Sequence, residues 1–194
     1  MKKGCIISIA IVGVLVLILI STISWAIGLN NSFVQLREDV RLKAGQIQTN
    51  LQRRMDLIPN LVSTVKGYAS HEEKVFTDIA DARSRLSGAI SSGDIEAIKT
   101  ANDGLSSALG RLLAIQENYP TLKADALFIG LQDELAGTEN RINIARQQYN
   151  DTVAKYNKRT MVFPSSIIAG IRGFNAEKYF DADQGAQQVP KVEF

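Results

Sequence analysis

From Cys5 to Ile27 the chain reads CIISIAIVGVLVLILISTISWAI, and no charge falls between Lys3 and Arg37. A bilayer core of about 30 Å takes about 20 apolar residues in helical form, so this run predicts a transmembrane helix. Ile6, Val12, Leu17 and Ile20 are its anchor residues, with Trp25 suited to the lipid–water interface. The period then changes. Phe33, Leu36, Val40, Ala44, Ile47, Leu51, Met55, Ile58, Val62, Val65 and Ala69 recur at steps of three and four, which is one stripe along an amphipathic helix. At 1.5 Å per residue that helix is about 55 Å long. Pro59 removes the hydrogen bond to the Met55 carbonyl and predicts a bend, but the stripe keeps its phase across it, so one bent helix is expected.

Ser70-His71-Glu72-Glu73 has the form of a capping box, with Ser70 as N-cap of a second helix striped by Val75, Ile79, Ala82, Leu86 and Ile90. Ser91-Ser92-Gly93 ends it. Asp94 then caps a third helix carrying Ile95, Ile98, Leu105, Leu109 and Leu112. Asn118-Tyr119-Pro120 opens a last long helix of about 40 residues, with Leu122, Phe128, Leu131, Leu135, Thr138, Ile142, Ala145, Tyr149, Val153 and Tyr156 along it. No stretch alternates with period two. The fold class is therefore all-α: an N-terminal transmembrane helix, then an antiparallel up-and-down helical bundle with two long helices. The divisions are 1–29 for the anchor, 30–160 for the bundle, 161–180 for an apolar carboxyl segment and 181–194 for a flexible polar tail. In the carboxyl segment Ser165 is placed to cap a short apolar turn. Ile167, Ile168, Ile171, Phe174, Tyr179 and Phe180 either fold back over the bundle or contact lipid or a neighbouring subunit.

Charge narrows the partners. Lys2 and Lys3 account for the excess of 22 Lys+Arg over 20 Asp+Glu, so the extramembrane part is formally neutral and lacks the basic surface that holds nucleic acid. The same two lysines favour the amino terminus in the cytoplasm and the bundle on the non-cytoplasmic side of the bacterial inner membrane. Lys2-Lys3, the apolar run and Ser24-Trp25-Ala26 also imitate a signal peptide, although the run is long for that and Trp25 suits an anchor. Cys5 is the single cysteine, which leaves no intrachain disulfide and no thiolate metal site.

Candidate chemistry is sparse. His71 with Glu72 and Glu73 lacks the convergent ligands of a zinc site. Glu134 and Glu139 stand five positions apart, on different faces of one helix. No Gly-rich phosphate loop, Ser/His/Asp set or Cys/His pair is present, so no catalytic, cofactor or metal residue is assigned and no cofactor is expected. More informative are Arg53, Arg54 and Asp56 beside Pro59 and Asn60, and Thr138, Glu139, Asn140 and Arg141 in the last helix. Antiparallel long helices would bring these two polar interruptions together and set their register. Asn60 is a candidate partner for a backbone group freed near Pro59.

Leu51 to Val62 (LQRRMDLIPNLV), Val65 to Glu72 (VKGYASHE), Tyr119 to Ala124 (YPTLKA) and Leu131 to Leu135 (LQDEL) resemble the signature of the LemA family. Thr138 to Ile142 (TENRI), Ala145-Arg146, Tyr149-Asn150, Tyr156-Asn157, Phe163-Pro164 and Gly173-Phe174 extend the likeness over nearly the whole chain. The resemblance implies a bacterial single-span membrane protein carrying a helical bundle and lacking a defined biochemical role. It implies an envelope membrane peptidase or a TPM-type anchored domain as possible company. Family descriptions often place the amino terminus outside the cell, against the direction of Lys2 and Lys3. The combined expectation is a self-associating scaffold on the lipid bilayer, with an adaptor subunit of a membrane peptidase as the alternative.

Overall fold

A computed structural model describes residues 2–180, with side chains at Ser8 and from Ile11 onward. The Ile6 side chain and the segment 181–194, expected as a flexible tail, lie outside the described residues. The elements are α1 (Lys2–Tyr68), α2 (Glu73–Ser92), α3 (Ile95–Ala114), a 3₁₀ turn (Ile115–Glu117), α4 (Pro120–Lys123), α5 (Ala126–Met161) and α6 (Ser165–Arg172). Among the described residues there is no strand, and the fold is the expected all-α bundle.

Helix α1 continues unbroken through Pro59. Of its expected stripe, Phe33, Val40, Ile47, Leu51, Met55, Ile58, Val65 and Ala69 are buried, while Leu36, Ala44 and Val62 are only half-buried. Leu61 takes the inward position next to Val62, and Arg54 joins the buried face one turn before Ile58.

The expected capping box does not form. Helix α2 begins at Glu73, and the residue before it, Glu72, makes no side-chain cap. The backbone makes this turn by itself. Glu72 donates to the Ala69 carbonyl, and the Glu72 carbonyl accepts from Val75 and Phe76. Ser70 and His71 are thereby held in the turn, too early to cap. Phe76 is the first buried residue of α2, in place of Val75. The helix ends at Gly93, which adopts a left-handed conformation at φ 71° and donates to the Ala89 and Ile90 carbonyls. Asp94 then caps α3 as expected, accepting from the Glu96 N–H at 3.0 Å.

The last long helix starts later than its proline. Pro120 opens the single turn of α4, and Asp125 restarts the chain by accepting the Phe128 N–H at 2.8 Å. Helix α5 then runs 36 residues. Ser165 is not the cap of α6 either. Its hydroxyl donates backwards to the Arg159 and Val162 carbonyls, satisfying the end of α5.

The chain divides into two compact units. Among the described residues one comprises 2–41 with 152–177, the other 42–151 with 178–180. Within the second, Lys43 meets Gln148, Arg54 meets Glu139 and Tyr68 meets Asp125. Partner numbers fall along α5 as they rise along α1, so these helix segments are antiparallel. Helices α2 and α3 form a hairpin in this unit, joined at the surface by Arg111 and Asp78 at 3.1 Å. Leu51, Leu61, Val65, Leu86, Leu105, Leu112 and Ile142 are withdrawn completely from solvent, each contributing about 1.5–3 kcal/mol of burial. Within the first unit Phe33 and Phe174 stack at 4.9 Å, and Arg172 donates to Asn30 at 3.0 Å.

Candidate functional site

The two polar interruptions do meet in the second unit, and they recruit a third helix. Arg53 donates from Nε and Nη2 to Glu134 Oε1. Arg54, only 6% exposed, turns inward, and its Nη1 donates to Asn102 Oδ1 of α3 at 2.9 Å. The same nitrogen lies 2.7 Å from Glu139 Oε2, an ion-pair contact whose angles fall outside hydrogen-bond geometry. Arg146 approaches Asp103 at 3.6 Å and lies over the Phe180 ring at 4.4 Å from its centre. Arg54, Asn102, Asp103, Ser106, Glu139 and Arg146 line a cleft of about 380 Å³. Arg54 Nε and Arg146 Nε and Nη2 are buried there without a hydrogen-bond partner.

Electrostatics follow from this geometry. Burial pulls the Arg54 guanidinium below its ordinary value, and Glu139 opposes that pull. Hydrogen bonds from Arg53, reinforced by its charge, hold the Glu134 carboxyl below the usual carboxylate range. At the far end of α1 the Tyr68 hydroxyl donates to Asp125 at 2.7 Å. That bond lowers Asp125 and raises Tyr68. A buried pair such as Arg54 and Glu139 gains little net stability, because the cost of desolvation offsets the attraction.

Not every expected residue joins. Asp56 accepts from Gln52 on its own helix at 2.8 Å. Asn140 and Arg141 are exposed, and Arg141 reaches Glu134 only at 3.8 Å. Pro59 and Asn60 are exposed as well. The Met55 carbonyl that Pro59 orphans is taken by Arg83 of α2, whose Nε donates to it at 3.2 Å, and not by Asn60. Asn102, Arg146 and Arg83 are the residues that sequence reasoning missed. Asn102 was legible in principle, because it falls in phase with Ile98, Leu105 and Leu109 on the inward stripe of α3.

Two asparagines a heptad apart fasten the carboxyl segment. In the first unit Asn157 donates to the Glu177 carbonyl at 2.9 Å and accepts the Glu177 N–H at 2.8 Å. In the second, Asn150 makes the same pair of bonds with Phe180, at 2.7 and 2.8 Å, while the Tyr149 hydroxyl donates to the Lys178 carbonyl. Each amide side chain thus satisfies both main-chain groups of one residue, as a neighbouring strand would. Phe174 and Phe180 are buried, whereas Ile167, Ile171 and Tyr179 are exposed and Ile168 is half-buried. Val12, Leu17, Ile20 and Trp25 are all exposed, and no part of the most apolar window of α1 is buried. By length and composition α1 is the one helix among the described residues able to cross a membrane.

The profile of the LemA family matches residues 43–194. The chain belongs to the LemA family. Magnetosome protein MamQ 2 of Paramagnetospirillum magneticum is 31% identical over 173 residues, covering 77% of this chain and 64% of its own length. Magnetosome protein MamQ of Magnetospirillum gryphiswaldense is 29% identical over 188 residues, covering 85% of this chain and 69% of its own. Protein LemA of Metamycoplasma hominis is 24% identical over 147 residues, covering 74% and 64%. This LemA-family chain therefore spans about 64% of the length of the first of these relatives. The profile takes in both Tyr-Asn pairs and the Arg54, Asn102 and Glu139 cluster.

Proposed function

We propose that this protein is a membrane-anchored, self-associating helical scaffold of the bacterial envelope, without catalytic activity. The observation that carries the reading is the uncovered apolar stretch of α1, continuous with a bundle helix. So much exposed hydrocarbon is stable in lipid and not in water. The bundle supports it from another side. Its inward polar groups meet one another across helices, as residues that set register do. The relatives MamQ are named for the magnetosome and not for a reaction. Exposed Leu42 on α1 and Ile144 on α5 offer apolar positions to a second copy. Alkaline carbonate washing is expected to leave the chain in the membrane pellet, and light scattering of the detergent-solubilised protein to give a mass above the monomer. Extraction into the wash, or a strictly monomeric particle, would sink the respective half of the reading.

The adaptor reading has one observation of its own. An open groove of about 900 Å³ runs along α2 and α3, lined by the small residues Ala82, Gly88, Ala101 and Gly104 and by the charged Asp78, Asp81, Arg85 and Arg111. A groove lined by small and charged residues suits an extended peptide segment of an envelope peptidase or its substrate. Crosslinking in membranes separates the two: self-adducts alone support the scaffold, and a reproducible peptidase adduct supports the adaptor.

A further inference from the structure

We propose that the corner between α5 and α6 is a second, non-spanning membrane contact, in which Met161, Val162, Phe163, Ile167 and Ile171 rest in the headgroup layer beside α1. The proposal rests on α1 crossing the bilayer. Phe163 is 76% exposed, Ile171 74%, Met161 69% and Ile167 52%. Water-facing helices put charge on the outer face, but α6 does the reverse: Ser165 and Ala169 point inward, and Ile167 and Ile171 lie one turn apart on the outside. Scattered single leucines on a surface need no explanation, whereas five large apolar residues within eleven positions do.

The occupant is lipid because of where this unit ties the corner down. Arg172, at the end of α6, donates to Asn30. Phe174 stacks on Phe33, with Arg37 over the same ring at 4.8 Å. Asn30 follows Ile27, the end of the continuous apolar run from Cys5, by three positions, or about 5 Å along the helix. The headgroup layer on each side of the hydrocarbon is about 5–7 Å deep. Helix α6 is thus held at headgroup depth, the level where a short helix with one apolar face is stable. Lys158, Arg159 and Arg172 flank the corner and supply cations for lipid phosphates.

The test uses the full chain in vesicles of phosphatidylcholine and phosphatidylglycerol brominated near the top of the acyl chains. Trp25 is the only tryptophan and reports insertion of α1. Phe163→Trp and, separately, Ile171→Trp, each in a Trp25→Phe background, report the corner. The expected result is a blue-shifted emission quenched by the brominated lipid for Trp25 and for each corner reporter. Quenching of Trp25 with water-like, unquenched emission at either corner position overturns the proposal and leaves the span standing. A blue shift without quenching at the corner also overturns it, since protein from a second copy is then the cover. Loss of quenching at every position removes the span and the corner together. Native helicity by circular dichroism qualifies each variant, and either reporter alone decides.

Discussion

Arg54 shows how a single side chain can be both costly and necessary. Its guanidinium is withdrawn from water, and its Nη1 meets the equally buried Asn102 oxygen. Arg54→Met removes that donor and leaves the Asn102 amide buried without it, which costs about 2–3 kcal/mol. Adding Asn102→Leu in the same chain is expected to return part of that loss, because the orphaned amide is then gone, while Glu139 still lacks its ion-pair partner. Chemical denaturation of the single and double variants measures the difference. Asp125 makes a pH-dependent contribution. Its carboxyl is held below its ordinary value by Tyr68 and by the Phe128 N–H, so the unfolded chain binds the proton first. The stabilisation is present above the ordinary carboxylate pKa of about 4 and is lost as pH falls through the lower folded value. Tyr68 is shifted the opposite way, so the same bond weakens again as pH rises past its ordinary value of about 10. Asp125→Asn keeps a cap oxygen but not the charge, so it is expected to lower the neutral plateau of a melting-temperature profile and to flatten its acid limb.

At the scale of elements, the ends of helices are decided by backbone bonds that compete with side-chain caps. Ser70 and Ser165 both have the chemistry of an N-cap, yet both lie where the main chain has already turned. Proline within a helix is tolerated when a neighbour takes the freed carbonyl, and Arg83 does so for α1. Gly93 and Gly104 contrast turn with helix interior. A Cβ added at either position would meet no heavy atom within 4 Å, so crowding does not separate them. Gly93 holds φ 71° and Gly104 sits inside α3. Gly93→Ala is therefore expected to destabilise by about 1 kcal/mol, while Gly104→Ala stabilises by about as much. Thermal melts of the two variants should move in opposite directions.

For the molecule as a whole, the exposed apolar positions are distributed in a way that matters for assembly. Those of α1 before Gly28 lie in the stretch apolar enough to cross a membrane, while Leu42 and Ile144 belong to the second unit. Replacing both Leu42 and Ile144 by Glu puts charge on the positions that the scaffold reading offers to a second copy, without touching a buried residue. The scaffold reading expects the detergent-solubilised particle to fall towards monomer mass with its helicity intact. A light-scattering mass equal to that of the unmodified chain would place self-association elsewhere.

The sequence by itself determined an apolar helix long enough to cross a membrane, the all-α class, the stripes of α1 and α3, the Asp94 cap and the LemA family, because each of these is local. Period, length and capping residues act within one or two turns. It also set the polar interruption around Arg53 and Arg54 against the one from Thr138 to Arg141 on condition of antiparallel helices; of these residues Arg54 and Glu139 stand 2.7 Å apart. Only the tertiary structure decided that Asn102 completes this contact, that Arg83 relieves Pro59, that Asp125 delays α5, and that Asn150 and Asn157 grip the returning main chain. These partners lie 20 to 48 residues apart, Asp125 with its own helix excepted. Periodicity shows which face of a helix is buried; it carries no information about which polar group on another helix will be waiting there, because that depends on how the packed faces settle.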